Sequence, residues 1–360
     1  MLAAAFSCRM GAMEYYKINY YDQFKCLADK CPETCCAGWQ IVIDEESLDK
    51  YKAIGGSLLE GIDLEQECFY QDREGRCAFL RKDNLCEIYK ECGASYLCDT
   101  CRMYPRHVEE FEGERELTIS ISCPEGIRLL LAQEKPLFFT HTRDEETEFF
   151  EEFDTVLYRF LKETRKELLR LIYDSEISYS ELRGQLLGAG EILQSYTDEE
   201  DLEEVEAANL WQKRSLTSDF AGDYRREVRG GWKLMKVHCE FRDPGFVQMA
   251  DQSLAAPERK ETKKLPEFDF YFRQLLAYFI LSYYTGAAYS ANPLAIVKMA
   301  LFNVELIRSL WQANLECEQP EEARELLENI SSSYSRELEH SWENMNALED
   351  LVVEELYLKG

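Results

Sequence analysis

Histidine is nearly absent: the chain has 4 in 360 residues, and only His107 falls between positions 26 and 123. Mixed Cys/His metal sites therefore have little to draw on. Basic residues are outnumbered, 41 Lys and Arg against 69 Asp and Glu, a net charge of −28 that opposes binding to a phosphate backbone. No nucleic-acid partner is expected, and the acidic surface suits either plain solubility or a basic partner. The most apolar stretch, 268–284, carries Asp269, Arg273 and Gln274 and is shorter than the roughly 20 residues of a membrane span. It reads as a buried core helix, with no membrane partner. Residues 1–13 hold too short an apolar run for a secretory signal and no upstream basic region, so a cytoplasmic location is expected. The glycine-rich turn of a dinucleotide-binding fold is missing too: GQLLGAG at 184–190 has neither the spacing nor a preceding strand.

Cysteine is abundant: 11 of the 14 cysteines lie between Cys26 and Cys123. A chain of this length with 46% hydrophobic residues can build a core without disulfide staples. In a reducing compartment such a set reads as metal ligands or redox groups. Cys26, Cys31, Cys35 and the adjacent Cys36 come first; Cys68, Cys77, Cys86, Cys92, Cys98, Cys101 and Cys123 follow. Only Cys98-x-x-Cys101 has the tight spacing of a metal knuckle. The double knuckle of zinc ribbons, the ferredoxin runs and the CxxxCxxC triplet of radical enzymes are all absent, since Cys31, Cys35 and Cys36 form CxxxCC. Adjacent cysteines rarely serve one tetrahedral ion, so one of Cys35 and Cys36 can turn elsewhere. An all-thiolate set favours an iron-sulfur cluster or a four-cysteine zinc site.

The pattern along the chain predicts a mainly α protein. An irregular cysteine-rich metal-binding N-terminal domain with a small β-hairpin (14–135) is followed by an α-helical bundle (136–360). WQIVI at 39–43 has strand character, and Asp44 caps a helix through Leu48 and Tyr51. Residues 108–111 and 117–121 flank a Glu112-Gly113 turn as a hairpin. Cys123-Pro124-Glu125 opens a helix, which places Cys123 at its positive end, where a thiolate is favoured. Beyond it, Phe149, Phe150, Phe153, Leu157, Phe160 and Leu161 recur at helical spacing in a helix of about 25 residues. Further helical patterns occupy 179–194, 268–284, 294–311 and a set entered at Pro320, with exposed charged connections at 197–206 and 251–265.

The pieces Phe24-Lys25-Cys26, Cys31-Pro32-Glu33-Thr34-Cys35-Cys36, Gly38-Trp39, Cys77-Ala78-Phe79-Leu80, Leu85-Cys86-Glu87-Ile88-Tyr89, Cys101, Tyr104-Pro105-Arg106 and Ser122-Cys123-Pro124-Glu125 resemble the flagellin lysine N-methylase family. They are similar, more distantly, to zinc- or iron-chelating cysteine-cluster proteins. The motifs fall within 15–130; the second half is similar in length and helical character alone. The resemblance implies methyl transfer from S-adenosylmethionine to lysines of flagellin or another surface protein, with a bound iron-sulfur cluster, 4Fe-4S foremost and zinc as the alternative. It implies Cys26, Cys31, Cys35, Cys36, Cys77, Cys86, Cys101 and Cys123 as ligands. The sequence departs from the family at Ala78, usually proline, and in the extra Cys68, Cys92 and Cys98. Lysine methylation needs a neutral amine held in line with the methyl donor. Tyr104 and Glu125 are the candidate catalytic groups, each with a structural role as its rival. Arg106 could pair with a cofactor carboxylate or with an acid that orders the cysteine region. A non-catalytic metal-binding module and a redox iron-sulfur protein stand as alternatives.

Overall fold

The computed structural model describes residues 13–144, 154–199, 202, 223–256, 267–316 and 319–357. The chain opens with β1 (Met13–Ile18) and then runs through the cysteine region in short pieces: α1 (Glu45–Ile54), α2 (Ser57–Glu60), β2 (Ile62–Asp63), β3 (Cys68–Phe69), α3 (Glu87–Cys92) and α4 (Asp99–Met103). A compact α/β segment follows, made of β4 (Arg106–Phe111), β5 (Glu114–Ile119), α5 (Pro124–Leu131) and β6 (Phe139–Asp144). The remainder is helical: α6 (Thr155–Ile172), α7 (Tyr179–Asp198), α8 (Tyr224–His238), α9 (Pro244–Ala255), α10 (Glu267–Tyr283), α11 (Ala287–Ser290), α12 (Pro293–Asn314), α13 (Pro320–Glu339) and α14 (Trp342–Glu354).

The hairpin expected at Glu112-Gly113 is present as β4 and β5, with Phe111 opposite Glu114 and Gly113 at φ 72°. It belongs to a larger sheet ordered β4-β5-β1-β6, in which β1 runs parallel to β5 and antiparallel to β6. β6 is not legible in the sequence, because FTHTRD has no apolar alternation; its residues are largely exposed and held by pairing with β1. WQIVI at 39–43 is not a ladder strand. Ile41 and Ile43 are buried, but Val42 makes only an isolated bridge to Cys68. Asp44 does cap α1, accepting from the Ser47 N–H at 2.9 Å.

In the helical half, α6 begins at Asp154, whose carboxylate accepts from the N–H groups of Val156 and Leu157; Phe149, Phe150 and Phe153 lie outside the described residues. α8 and α9 were not foreseen, and α9 takes up Asp251 to Ala255, expected as connection. Two buried clusters result. The larger runs from Ile18 through Ile119 and Leu130 to Tyr357, so sheet, α5 and bundle share one core across position 135. The smaller packs Ile41, Ile43, Tyr51, Phe69, Phe79 and Ile88 around Cys77 and Cys98. In the larger, α12 is buried along most of its length and packs against α7, α8, α9, α10, α13 and α14. A buried ion pair pins sheet to bundle: Arg165 on α6 donates through both terminal nitrogens to Glu116 on β5, each at 2.6 Å, and Thr285 donates to the same carboxylate at 2.8 Å.

Candidate functional site

Between the two cores lies a cleft of about 400 Å³ lined by Cys26, Cys31, Cys35, Cys36, Cys86, Cys101 and Cys123. Of the eight candidate ligands only Cys77 is set back, buried in the smaller core. Sequence-distant segments are brought together by polar pinning of the loop that carries the first four. Thr34 Oγ1 accepts from the Cys36 N–H at 3.1 Å, and the Trp39 indole donates to the Cys35 carbonyl at 2.7 Å. Arg336 of α13 donates to the Thr34 carbonyl at 2.7 Å and also meets Glu33. Cys98 is the N-cap of α4, which sets Cys101 one turn along. Of the three extra cysteines, Cys98 is buried beside Cys77, Cys68 accepts from the Gln40 amide at 3.1 Å, and Cys92 ends α3 away from the cleft.

All cysteines among the described residues are free thiols. No three His, Cys, Asp or Glu among those residues stand in metal-ligating geometry, so the sulfurs line a space without converging on a point. Their environment is that of thiols awaiting a positive charge. Burial drives the Cys123 thiol up to about 11, despite N–H groups of Gly126 and Glu125 that favour the thiolate. The helix start at Pro124 therefore does not produce the lowered thiol expected from sequence: loss of hydration outweighs the helix dipole here. Burial likewise raises Cys77 to about 12. Cys35 and Cys36 share a hydrogen bond, which pushes the first well up and draws the second down to about 7. An all-sulfur donor set, free of disulfides and facing a space larger than a cluster, fits an iron-sulfur cluster or thiolate zinc in chemistry and in room.

Tyr104 also lines the cleft, and the Tyr104-Pro105 peptide is cis. Burial and the Cys123 sulfur push its phenol far up, so it is protonated and cannot act alone as a base. Its hydroxyl meets Ser122 Oγ at 3.2 Å, and Ser122 Oγ in turn meets His340 Nε2 at 3.0 Å and Ser120 Oγ at 2.7 Å. Ser120 hydrogen-bonds Glu339, which the Tyr278 hydroxyl also reaches at 3.0 Å. His340 packs on Trp39 and Tyr104, with ring centroids 4.7 and 5.4 Å away. Nothing local in the sequence marks Glu339 and His340, which reach Ser120 and Ser122 only through the packing of α13; the scarcity of histidine is the one available signal. Glu125 is spoken for, both its oxygens taking 2.6 Å hydrogen bonds from Arg128. Arg106 has no carboxylate partner among the described residues. Its guanidinium lies over the Tyr21 and Phe24 rings, 5.8 and 5.4 Å from their centroids, at the cleft wall.

Burial, then Arg336 and Arg242, lower His340 from 6.5 to about 3, so it is neutral at physiological pH. Between those two values the unfolded chain binds a proton that the folded chain refuses, so this residue makes stability fall as pH drops from 6.5 toward 3. Glu339, raised above 4.5 mainly by burial, acts with the opposite sign. His340→Gln is expected to flatten the acid limb of stability, read by urea denaturation across that pH range; an unchanged limb would refute the assignment.

Fold and site together define a mainly helical protein whose thiol-lined cleft is completed by Arg336 from C-terminal helix α13. Residues 165–358 match the FliB lysine N-methylase C-terminal domain, and the chain belongs to that family. The match lies in the helical half, where the sequence had offered only length and character. The chain is 27% identical over 118 residues to the flagellar biosynthetic protein FliU of Salmonella muenchen, covering 29% of this chain and 70% of FliU. It is equally identical over 118 residues to lysine-N-methylases of Salmonella typhimurium and Salmonella choleraesuis, covering 29% of this chain and 29% of each relative. No solved structure matches it. No helix among the described residues is long and apolar enough to cross a membrane.

Proposed function

We propose that this chain is an S-adenosylmethionine-dependent protein lysine N-methyltransferase that carries an iron-sulfur cluster and acts on a lysine-bearing protein of the flagellin class. One observation carries the reading: the half that matches the lysine N-methylase family supplies Arg336 to the wall of the cysteine-lined cleft, and Glu339 and His340 to the hydrogen-bonded groups behind Tyr104. The acidic surface, at net −28, favours approach of a lysine-rich segment.

The cleft thiols Cys26, Cys31, Cys35 and Cys123 would hold the cluster, which supplies redox-active iron when bound. S-adenosylmethionine supplies an activated methyl group, and the Arg106 guanidinium at the cleft wall, with no carboxylate partner among the described residues, suits its carboxylate. An incoming lysine must lose a proton before it can attack. Tyr104 lines the cleft that an amine would enter, and the hydrogen bonds through Ser122 and Ser120 lead onward to Glu339, whose burial favours taking up a proton. These residues thus offer an exit for that proton. Trp39 and His340 hold the Tyr104 ring by a tilted and an edge-on contact.

The purified, metal-intact chain given S-adenosylmethionine and the host's flagellin is expected to produce methyl-sized mass shifts on lysines. Tyr104→Phe keeps the ring packing and removes only the hydroxyl. Turnover should fall about 10²-fold, the lower range for a lost proton-transfer group, with metal content unchanged. No methyl transfer by the metal-intact chain would leave a redox or purely metal-binding protein as the reading.

A further inference from the structure

We infer that the cysteines serve two separate centres divided at the Cys35–Cys36 peptide: Cys26, Cys31, Cys35 and Cys123 hold the cluster in the cleft, and a single zinc-class ion sits in the smaller core on four of Cys36, Cys77, Cys86, Cys98 and Cys101. The inference rests on the thiolate-metal part of the proposed function and not on methyl transfer.

The division is visible in what the sulfurs face: Cys77 and Cys98 border the inner void and not the cleft, Cys26, Cys31, Cys35 and Cys123 border the cleft and not the void, and Cys36, Cys86 and Cys101 stand between and border both. A second void of about 10 Å³ lies inside the smaller core, lined by Cys36, Cys77, Cys86, Cys98 and Cys101 among Ile41, Tyr51, Phe69, Phe79 and Ile88. None of Cys26, Cys31, Cys35 and Cys123 borders it, and none packs against that core. Backbone contacts knit the second set together: the Cys77 N–H donates to the Cys36 carbonyl at 2.8 Å, and Leu80 bridges to Cys86.

Size selects the occupants. A void of about 10 Å³ has room for about one small atom, and four thiolates around one such ion is the closed tetrahedral arrangement of structural zinc. The cleft, about 400 Å³, has room for a cluster and for a bound small molecule besides. Loading the inner site requires the sulfurs to rotate inward and release their protons, which a dication favours and burial alone opposes.

The test is metal analysis of the full chain purified without oxygen, with zinc, iron and acid-labile sulfide counted per chain. Wild type is expected to hold about one zinc beside its iron, as a closed four-thiolate site does. Cys123→Ser should lose the iron, sulfide and visible absorbance while keeping its zinc, and the same variant reloaded with cobalt should show the intense charge-transfer bands of a tetrathiolate ion. Cys77→Ser combined with Cys98→Ser leaves three sulfurs at the void and none fewer at the cleft, and should lose the zinc while keeping the iron. Iron without a second metal in the wild-type chain, or loss of zinc together with iron in Cys123→Ser, would overturn the division. Neither measurement involves methyl transfer, so a chain that methylates nothing can still pass it, and an active methylase can fail it.

Discussion

Cys101→Ser is expected to come out of purification depleted of metal and largely unfolded in its N-terminal third. Cys101 faces both the cleft and the inner void, and it is hydrogen-bonded to Cys98 one helical turn away. A structural metal site contributes on the order of 10 kcal/mol, comparable with the entire stability of a domain. The smaller core has few apolar side chains of its own, among them Ile41, Ile43, Leu48, Ile62 and Phe69, so it has little in reserve once the ion is gone. The matched control is Cys239→Ser. Cys239 is buried in the larger core at the end of α8, with its thiol raised to about 11 by burial alone. That variant should keep its metal and lose only the small amount that a buried hydroxyl costs. Metal content and far-ultraviolet circular dichroism distinguish the two; equal behaviour would contradict the metal assignment.

The second large effect is expected from Arg165→Ala. Arg165 and Glu116 are 7% and 1% exposed, with two parallel hydrogen bonds between them and Thr285 completing the carboxylate's shell. Removing the guanidinium leaves Glu116 buried without a counter-charge, and breaking such a pair typically costs about 3–5 kcal/mol. The cost would show as a lower urea midpoint at unchanged slope. Replacing both members together, as Glu116→Leu with Arg165→Met, should recover most of the loss, because the penalty comes from the orphaned charge more than from the missing attraction. A single-variant loss under about 1 kcal/mol would show that the pair is hydrated in solution.

Local chemistry made much of this legible in advance. The Asp44 cap, the Glu112-Gly113 hairpin, the helix opened by Pro124 and the amphipathic helices near 179, 268, 294 and 320 all follow from interactions within a few residues, which a linear reading contains. Where nonlocal pairing decided, the reading fell short. β1 and β6 form because each finds the other, 39–43 fails to form a ladder because only Val42 meets a partner strand, and α9 fills the bundle despite modest apolar periodicity. The Cys123 thiol was misjudged for a related reason: a helix start is local, whereas burial is a property of everything packed around it.

What the sequence settled alone was composition-borne: a reduced, cysteine-dense segment joined to a helical body under strong negative charge, with too little histidine for mixed sites. Which sulfurs share a space, and that Glu339 and His340 stand behind Tyr104 from more than 200 positions away, only the tertiary structure decided. Spacing along a chain limits which residues can meet but does not select among them. That selection is made by the cost of burying each group, which depends on neighbours contributed by distant segments.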